Sequence, residues 1–144
     1  MVTARNFFDK EQQQMLVNAI VSAELKTSGE IRLHLNNFCF GNELNAAQKV
    51  FKKLSMHNTS ERNGVLIYVS VISRKIAVFG DEGIYQKLGN AYWQSVIDNL
   101  ILNFKQNKKA EALSECIVEL GEQLGKYFPR NSNDVNELPN TISY

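Results

Sequence analysis

Apolar positions along this chain recur with two different periods, and the period switches several times. Leu16, Ile20 and Ala23 are spaced by helical turns, behind an Asp9 whose partner Gln12 sits in capping-box position. A helix is predicted from about 10 to Thr27, with Gly29 as its stop. Ile31, Leu33 and Leu35 then alternate with Arg32 and His34, the pattern of a strand with one wetter face. Asn42 is placed to cap a second helix carrying Leu44, Ala47, Phe51 and Leu54. Residues 65–71 are apolar almost throughout, as suits a central strand buried on both faces. A Ser73-Arg74 turn and the segment 75–79 complete a predicted hairpin. Gly80-Asp81-Glu82-Gly83 interrupts the pattern. Trp93, Val96, Ile97, Leu100, Ile101 and Phe104 mark one face of a helix over about 90–105. Leu113, Ile117, Leu120 and Leu124 mark a last helix, capped by Asn107 and ended before Pro129.

This order predicts an α/β fold: a three-layer α/β/α sandwich around a small mixed sheet of three to four strands, the fourth short and near a terminus. A length of 144 residues suits a single domain over 1–128, with a flexible polar tail over 129–144. The formal net charge of +1 provides no bulk field for nucleic acid or an acidic membrane. Cys39 and Cys116 belong to no metal-spaced pair and read as free thiols in a reducing compartment. No basic-then-apolar leader opens the chain, and no apolar run is long enough to cross a bilayer. The expectation is a cytoplasmic monomer.

Topology directs attention to one corner. A right-handed crossover makes strands 31–35 and 65–71 parallel, and the hairpin makes 75–79 antiparallel to 65–71. The end of the third strand therefore emerges beside the starts of the other two. That edge collects Asp81 and Glu82, the 55–64 loop with His57, Glu61 and Asn63, and Glu30 just ahead of Ile31. Crowded carboxylates repel, and a divalent cation relieves the repulsion. Calcium accepts carboxylate, amide and backbone oxygens at variable coordination, which suits irregular loops, and Gly80 and Gly83 would let carbonyls turn inward. There is no Asp-x-Asp-x-Asp-Gly series, so the loop is not an EF-hand. The plainer reading stands beside this one: Asp81-Glu82 as a solvated turn at the start of a helical turn, His57 as an ordinary loop histidine, and Glu30 paired with Arg32 or Lys75.

The segment Arg62-Asn63-Gly64-Val65-Leu66-Ile67-Tyr68, followed by a hairpin, Phe79-Gly80, Gly83-Ile84 and a helix with Trp93, resembles the TPM domain family over about residues 7–127. That family includes thylakoid-lumen proteins of photosystem II repair and bacterial envelope proteins. The resemblance implies an α/β/α sandwich and a calcium site, with acid phosphatase activity in some members and protein interaction in others. Many members carry a signal peptide and a membrane tail, and this chain looks like a stand-alone domain. It departs from the pattern at Arg62, where the family signature has an acidic residue. It departs again at Gly83-Ile84-Tyr85, where the pattern is Gly-Leu-Glu, and at Asn90, where an Asp is expected. Asp81 and Glu82 are positioned to compensate.

Three functions follow as expectations. The first is a structural or regulatory divalent-metal site with Asp81, Glu82 and Glu61 ahead of Glu30, His57 and Asn63. The second is a metal-assisted phosphatase in which Arg62 or Lys87 offsets phosphate charge, although no phosphate-cradling glycine loop, Cys-x5-Arg or Asp-x-Asp motif is present and no catalytic residue is assigned. The third is a protein-interaction module anchored by Phe38 and Phe40. The gain from burial favours folding those two rings back onto the core. His34 has no second histidine at ligand spacing, Trp93 falls on the apolar stripe of its helix, Lys108-Lys109 is a short solvated charge pair, and Ser70 and Ser73 lack a Gly-x-Ser-x-Gly setting.

Overall fold

The computed structural model describes residues 1–130 and 140–144. In chain order the elements are α1 (Lys10–Glu24), β1 (Glu30–Asn36), α2 (Glu43–Lys53), β2 (Gly64–Ser70), β3 (Lys75–Gly80), α3 (Glu82–Leu88), α4 (Asn90–Lys105) and α5 (Lys109–Tyr127), with a 3-10 turn at Met56–Asn58. The sheet order is β1-β2-β3. β1 runs parallel to β2 with Glu30 opposite Gly64, and β2 runs antiparallel to β3 with Val65 opposite Gly80.

Every residue of β2 is buried, because helices cover both faces. Val65, Ile67 and Val69 join Ile31, Leu33 and Leu35 in a core with α1, α4 and α5. On the other face Leu66 and Tyr68 meet Ala47 and Phe51 of α2. The result is the expected three-layer α/β/α arrangement. α1 starts with the capping box read from the sequence: the Gln12 amide donates to Asp9 Oδ1 at 2.8 Å and the Asp9 amide to Gln12 Oε1 at 3.0 Å.

Three expectations change. Asn107 does not cap α5; it takes a left-handed conformation, φ 59°, closing α4, and α5 starts from Lys108 without a side-chain cap. The segment after Gly80 is not a solvated turn: it starts α3, the helical turn of the plainer reading, with Asp81 buried as its N-cap and Ile84 driven into the core. The wetter face of β1 is absent, since Arg32 and His34 are only 6% and 8% exposed. The C-terminal residues account for part of this. The Ser143 amide donates to the Leu33 carbonyl and the Leu35 amide to the Ser143 carbonyl, both at 2.9 Å, while the His34 ring stacks on Tyr68. This one-residue bridge is what the described residues offer as a fourth strand, and it occupies part of an otherwise open sheet edge. Of the tail expected to be flexible, 131–139 lie outside the described residues, while Pro129 bridges Thr27 and Ser143 bridges His34. Among the described residues no helix is long and apolar enough to cross a membrane.

α1 and α5 pack at small residues. A β-carbon at Gly121 would stand 2.6 Å from that of Ala23 and 2.9 Å from its Cα, closer than atoms pack. Gly121→Val is expected to separate the helices and destabilise the fold by about 1–3 kcal/mol. A urea midpoint unchanged from the parent would show that the crossing is not tight.

Candidate functional site: an acidic corner and an aromatic tip

The corner foreseen from topology exists. Antiparallel pairing brings the end of β3 to the start of β2, where the Asp81 amide donates to the Gly64 carbonyl and the Gly83 amide to the Arg62 carbonyl, both at 2.9 Å. Gly83 is required there, because a β-carbon would lie 2.3 Å from the Glu61 carbonyl and 2.5 Å from that of Arg62. Those carbonyls do turn inward, but onto the backbone of α3. Gly80 serves a different contact: a β-carbon would meet the Trp93 ring at 2.8 Å.

The cation at this corner is Arg62. Its Nε donates to Asp81 Oδ2 at 2.8 Å and its Nη2 to Oδ1 at 3.0 Å, a bidentate pairing. Nη1 lies 3.4 Å from Glu82 Oε1. Asp81 is 4% exposed and also accepts the Glu82 amide at 2.8 Å as the cap of α3. Arg62 holds a left-handed backbone, φ 53°, which points its carbonyl at Gly83 while the side chain lies across Asp81.

The remaining predicted ligands diverge. Glu82 projects outward with its side chain 67% exposed, and Glu61 and His57 are exposed. Asn63 is buried, its amide nitrogen donating to Ser28 Oγ at 3.3 Å. Glu30 is buried on β1, and the sheet order puts all of β2 between it and β3, which leads into Asp81. The six residues therefore share an end of the sheet without forming one ligand set. Among the described residues no group of three or more His, Cys, Asp or Glu side chains could hold a metal ion.

Glu30 lies instead beside Arg32, the partner of the plainer reading, in a buried charge cluster whose third member, Glu24, sequence reading missed. The Glu24 carboxyl accepts the Ile31 amide at 2.8 Å and hydrogen-bonds Glu30, beside Arg32. Burial, reinforced by Glu30, pushes its pKa up to about 8. The signal was available, because Glu24 continues the four-residue spacing of Leu16 and Ile20 that points into the core. Burial lowers the pKa of His34 to about 4, with Lys53 and Arg32 adding to the effect, and its Nδ1 lies 2.8 Å from Ser143 Oγ. Both cysteines are free, and burial pushes the Cys116 thiol up to about 12, out of the range of reactive thiolates.

At the opposite end of the sheet, the loop after β1 holds Phe38 and Phe40 outside the core. They are 50% and 92% exposed and stack on each other with centroids 5.5 Å apart. The expected fold-back does not occur, because extended chain alternates its side chains and Cys39 takes the inward position. The Cys39 amide donates to Ser73 Oγ at 2.9 Å, and the Ile72 amide to the Asn37 carbonyl at 2.9 Å, which ties the loop to the β2–β3 turn.

The TPM domain model matches residues 1–123. The chain belongs to the TPM domain family. This TPM domain is 40% identical to the BA42 protein of the psychrophilic bacterium Bizionia argentinensis, whose solution structure superposes with a TM-score of 0.87 over 95% of this chain and 94% of that one. The N-terminal domain of a P. gingivalis protein shares the fold at 16% identity, with a TM-score of 0.67 over 88% of this chain and 83% of that one. Among curated proteins none matches.

The buried Glu24 and His34 of this TPM domain are expected to make its stability depend on pH. Glu24 is raised from 4.5, so the native state holds the extra proton between about pH 4.5 and 8, and stability falls as pH rises through that window. His34 is lowered from 6.5, so the unfolded state holds the extra proton between about pH 4 and 6.5, and stability falls as pH drops through it. The two slopes oppose each other up to pH 6.5, and between 6.5 and 8 the contribution of Glu24 continues without that of His34, with a slope of at most about 1.4 kcal/mol per pH unit. Glu24→Gln should flatten that alkaline decline in urea titrations. An equal decline in parent and variant would refute the assignment to Glu24.

Proposed function

We propose that this TPM domain is a protein-binding module whose working surface is the loop bearing Phe38 and Phe40. The observation that supports this reading is the exposure of two large aromatic rings on a backbone pinned to its neighbour. Exposed aromatics on a fixed loop lose little entropy on binding and are typical anchors of protein interfaces. The acidic corner at the other end offers less, since Asp81 already has a guanidinium partner. Photo-crosslinking tests the reading directly. Benzoylphenylalanine in place of Phe40 should give discrete protein adducts in cells, with or without chelator. The same label in place of Tyr127, which is also exposed, should give none. Equal labelling from both positions would end the proposal.

A divalent ion, calcium by the chemistry of the donors, is the second reading. It is favoured by the convergence of the Asp81 and Glu82 carboxylates on one cation, with the Glu61 and Arg62 carbonyls nearby. Arg62 would compete for the same oxygens, so Arg62→Ala should tighten calcium binding in calorimetric titration of metal-stripped protein, and adding calcium should raise the melting temperature of the variant above that of its metal-stripped form. No heat and no thermal shift in either protein would dispose of the site. The phosphatase reading rests on family resemblance alone.

A further inference from the structure

The aromatic tip has a charge pattern as well as a shape. Residues 36–42 and 70–80, the loop and the hairpin that hold it, contain Arg74 and Lys75 and no carboxylate. Arg74 is exposed at the hairpin turn with φ 55°. Lys75 donates from Nζ to the Gly41 carbonyl at 2.8 Å, which fixes an ammonium at the base of the aromatic loop. Ile72 in the adjoining turn and Leu44 in the first turn of α2 are also exposed, at 40% and 50%. The loop is also held by the Ala4 amide, which donates to Asn37 Oδ1 at 2.7 Å. The tip is therefore a preorganised apolar knob with cations on its hairpin side.

We infer that its partner is a protein segment in which apolar side chains stand next to Asp or Glu. This rests on the docking reading above and adds the chemistry of the ligand. The rings supply apolar contact. The Arg74 guanidinium has the planar donor fork that suits a carboxylate, and the Lys75 ammonium adds a fixed positive charge. A basic segment would meet like charge, which costs affinity and slows encounter. An anionic lipid surface is the weaker fit. Attraction to such a surface grows with the number of cations facing it, and residues 36–42 and 70–80 supply two in a chain of net charge +1.

Selection of a random peptide library displayed on phage against the immobilised full chain tests this, with recovered peptides measured by fluorescence polarisation. Peptides pairing Leu, Ile or Phe with Asp or Glu should be enriched. Their affinity should fall roughly 30-fold in Phe38→Ala/Phe40→Ala, the effect of losing a hot spot. It should also weaken in Arg74→Glu/Lys75→Glu, with circular dichroism confirming that both variants fold. Peptides that need the two phenylalanines but carry no acidic bias, or that bind the charge-reversed variant equally well, would overturn the inference and leave the docking reading standing. Failure to select any phenylalanine-dependent peptide would overturn both. Tip-dependent binding to phosphatidylcholine–phosphatidylserine vesicles, with no such peptides, would assign the surface to membranes instead.

Discussion

Strand β2 has no face to give to water, and most of the molecule follows from that. Its seven residues are buried between α2 on one side and the α1, α4 and α5 layer on the other. Its two backbone edges are taken by β1, in parallel, and β3, in antiparallel. The hydrophobic effect sets the burial, and the ladder satisfies the backbone groups that burial would otherwise strand. Parallel pairing on one side requires a crossover, supplied by α2, and antiparallel pairing on the other allows a tight turn. Each end of the sheet is thereby built from one crossover connection and one hairpin-derived segment.

The two ends have taken different courses. At the start of β2, opposite charges close the corner: Arg62 satisfies Asp81, and Asp81 in turn caps α3. Removing either partner would leave the other uncompensated, with the greater penalty on the carboxylate that is 4% exposed. This corner stabilises the entry into α3. At the far end of β1 apolar surface stays uncovered. Cys39 fills the core position, and the phenylalanines on either side of it remain in solvent. Isolated exposed apolar residues are ordinary in any protein. A stacked pair on a loop fixed by side-chain and backbone hydrogen bonds is less so, and the proposed binding surface rests on it.

The β1 edge shows how a small sheet manages an exposed strand. Glu24 occupies the Ile31 amide, and Ser143 occupies the Leu33 carbonyl and the Leu35 amide. Buried polar side chains follow as a consequence. Glu24, Glu30, Arg32 and His34 pack where an open edge would have kept them wet, and the shifts in Glu24 and His34 record the cost of removing their charged forms from water.

Local periodicity was enough to determine helices α1, α2, α4 and α5, the three strands and the crossing of the 55–64 and 80–90 segments. Spacing of apolar residues reports which side of an element faces a core, and chain connectivity limits how strands pair. It also located Asp81 beside the entrance to β2. Which side chain pairs with Asp81 there was decided only in three dimensions. The Arg62–Asp81 bond spans nineteen residues and depends on a left-handed backbone at Arg62 that no periodic signal encodes. The same holds for Ser143 on β1, contributed from the far end of the chain, and for the outward turn of Phe38 and Phe40, set by the competition of three neighbouring side chains for one inward position. Local pattern fixes what a segment prefers to bury; long-range contacts decide which of several preferences is met.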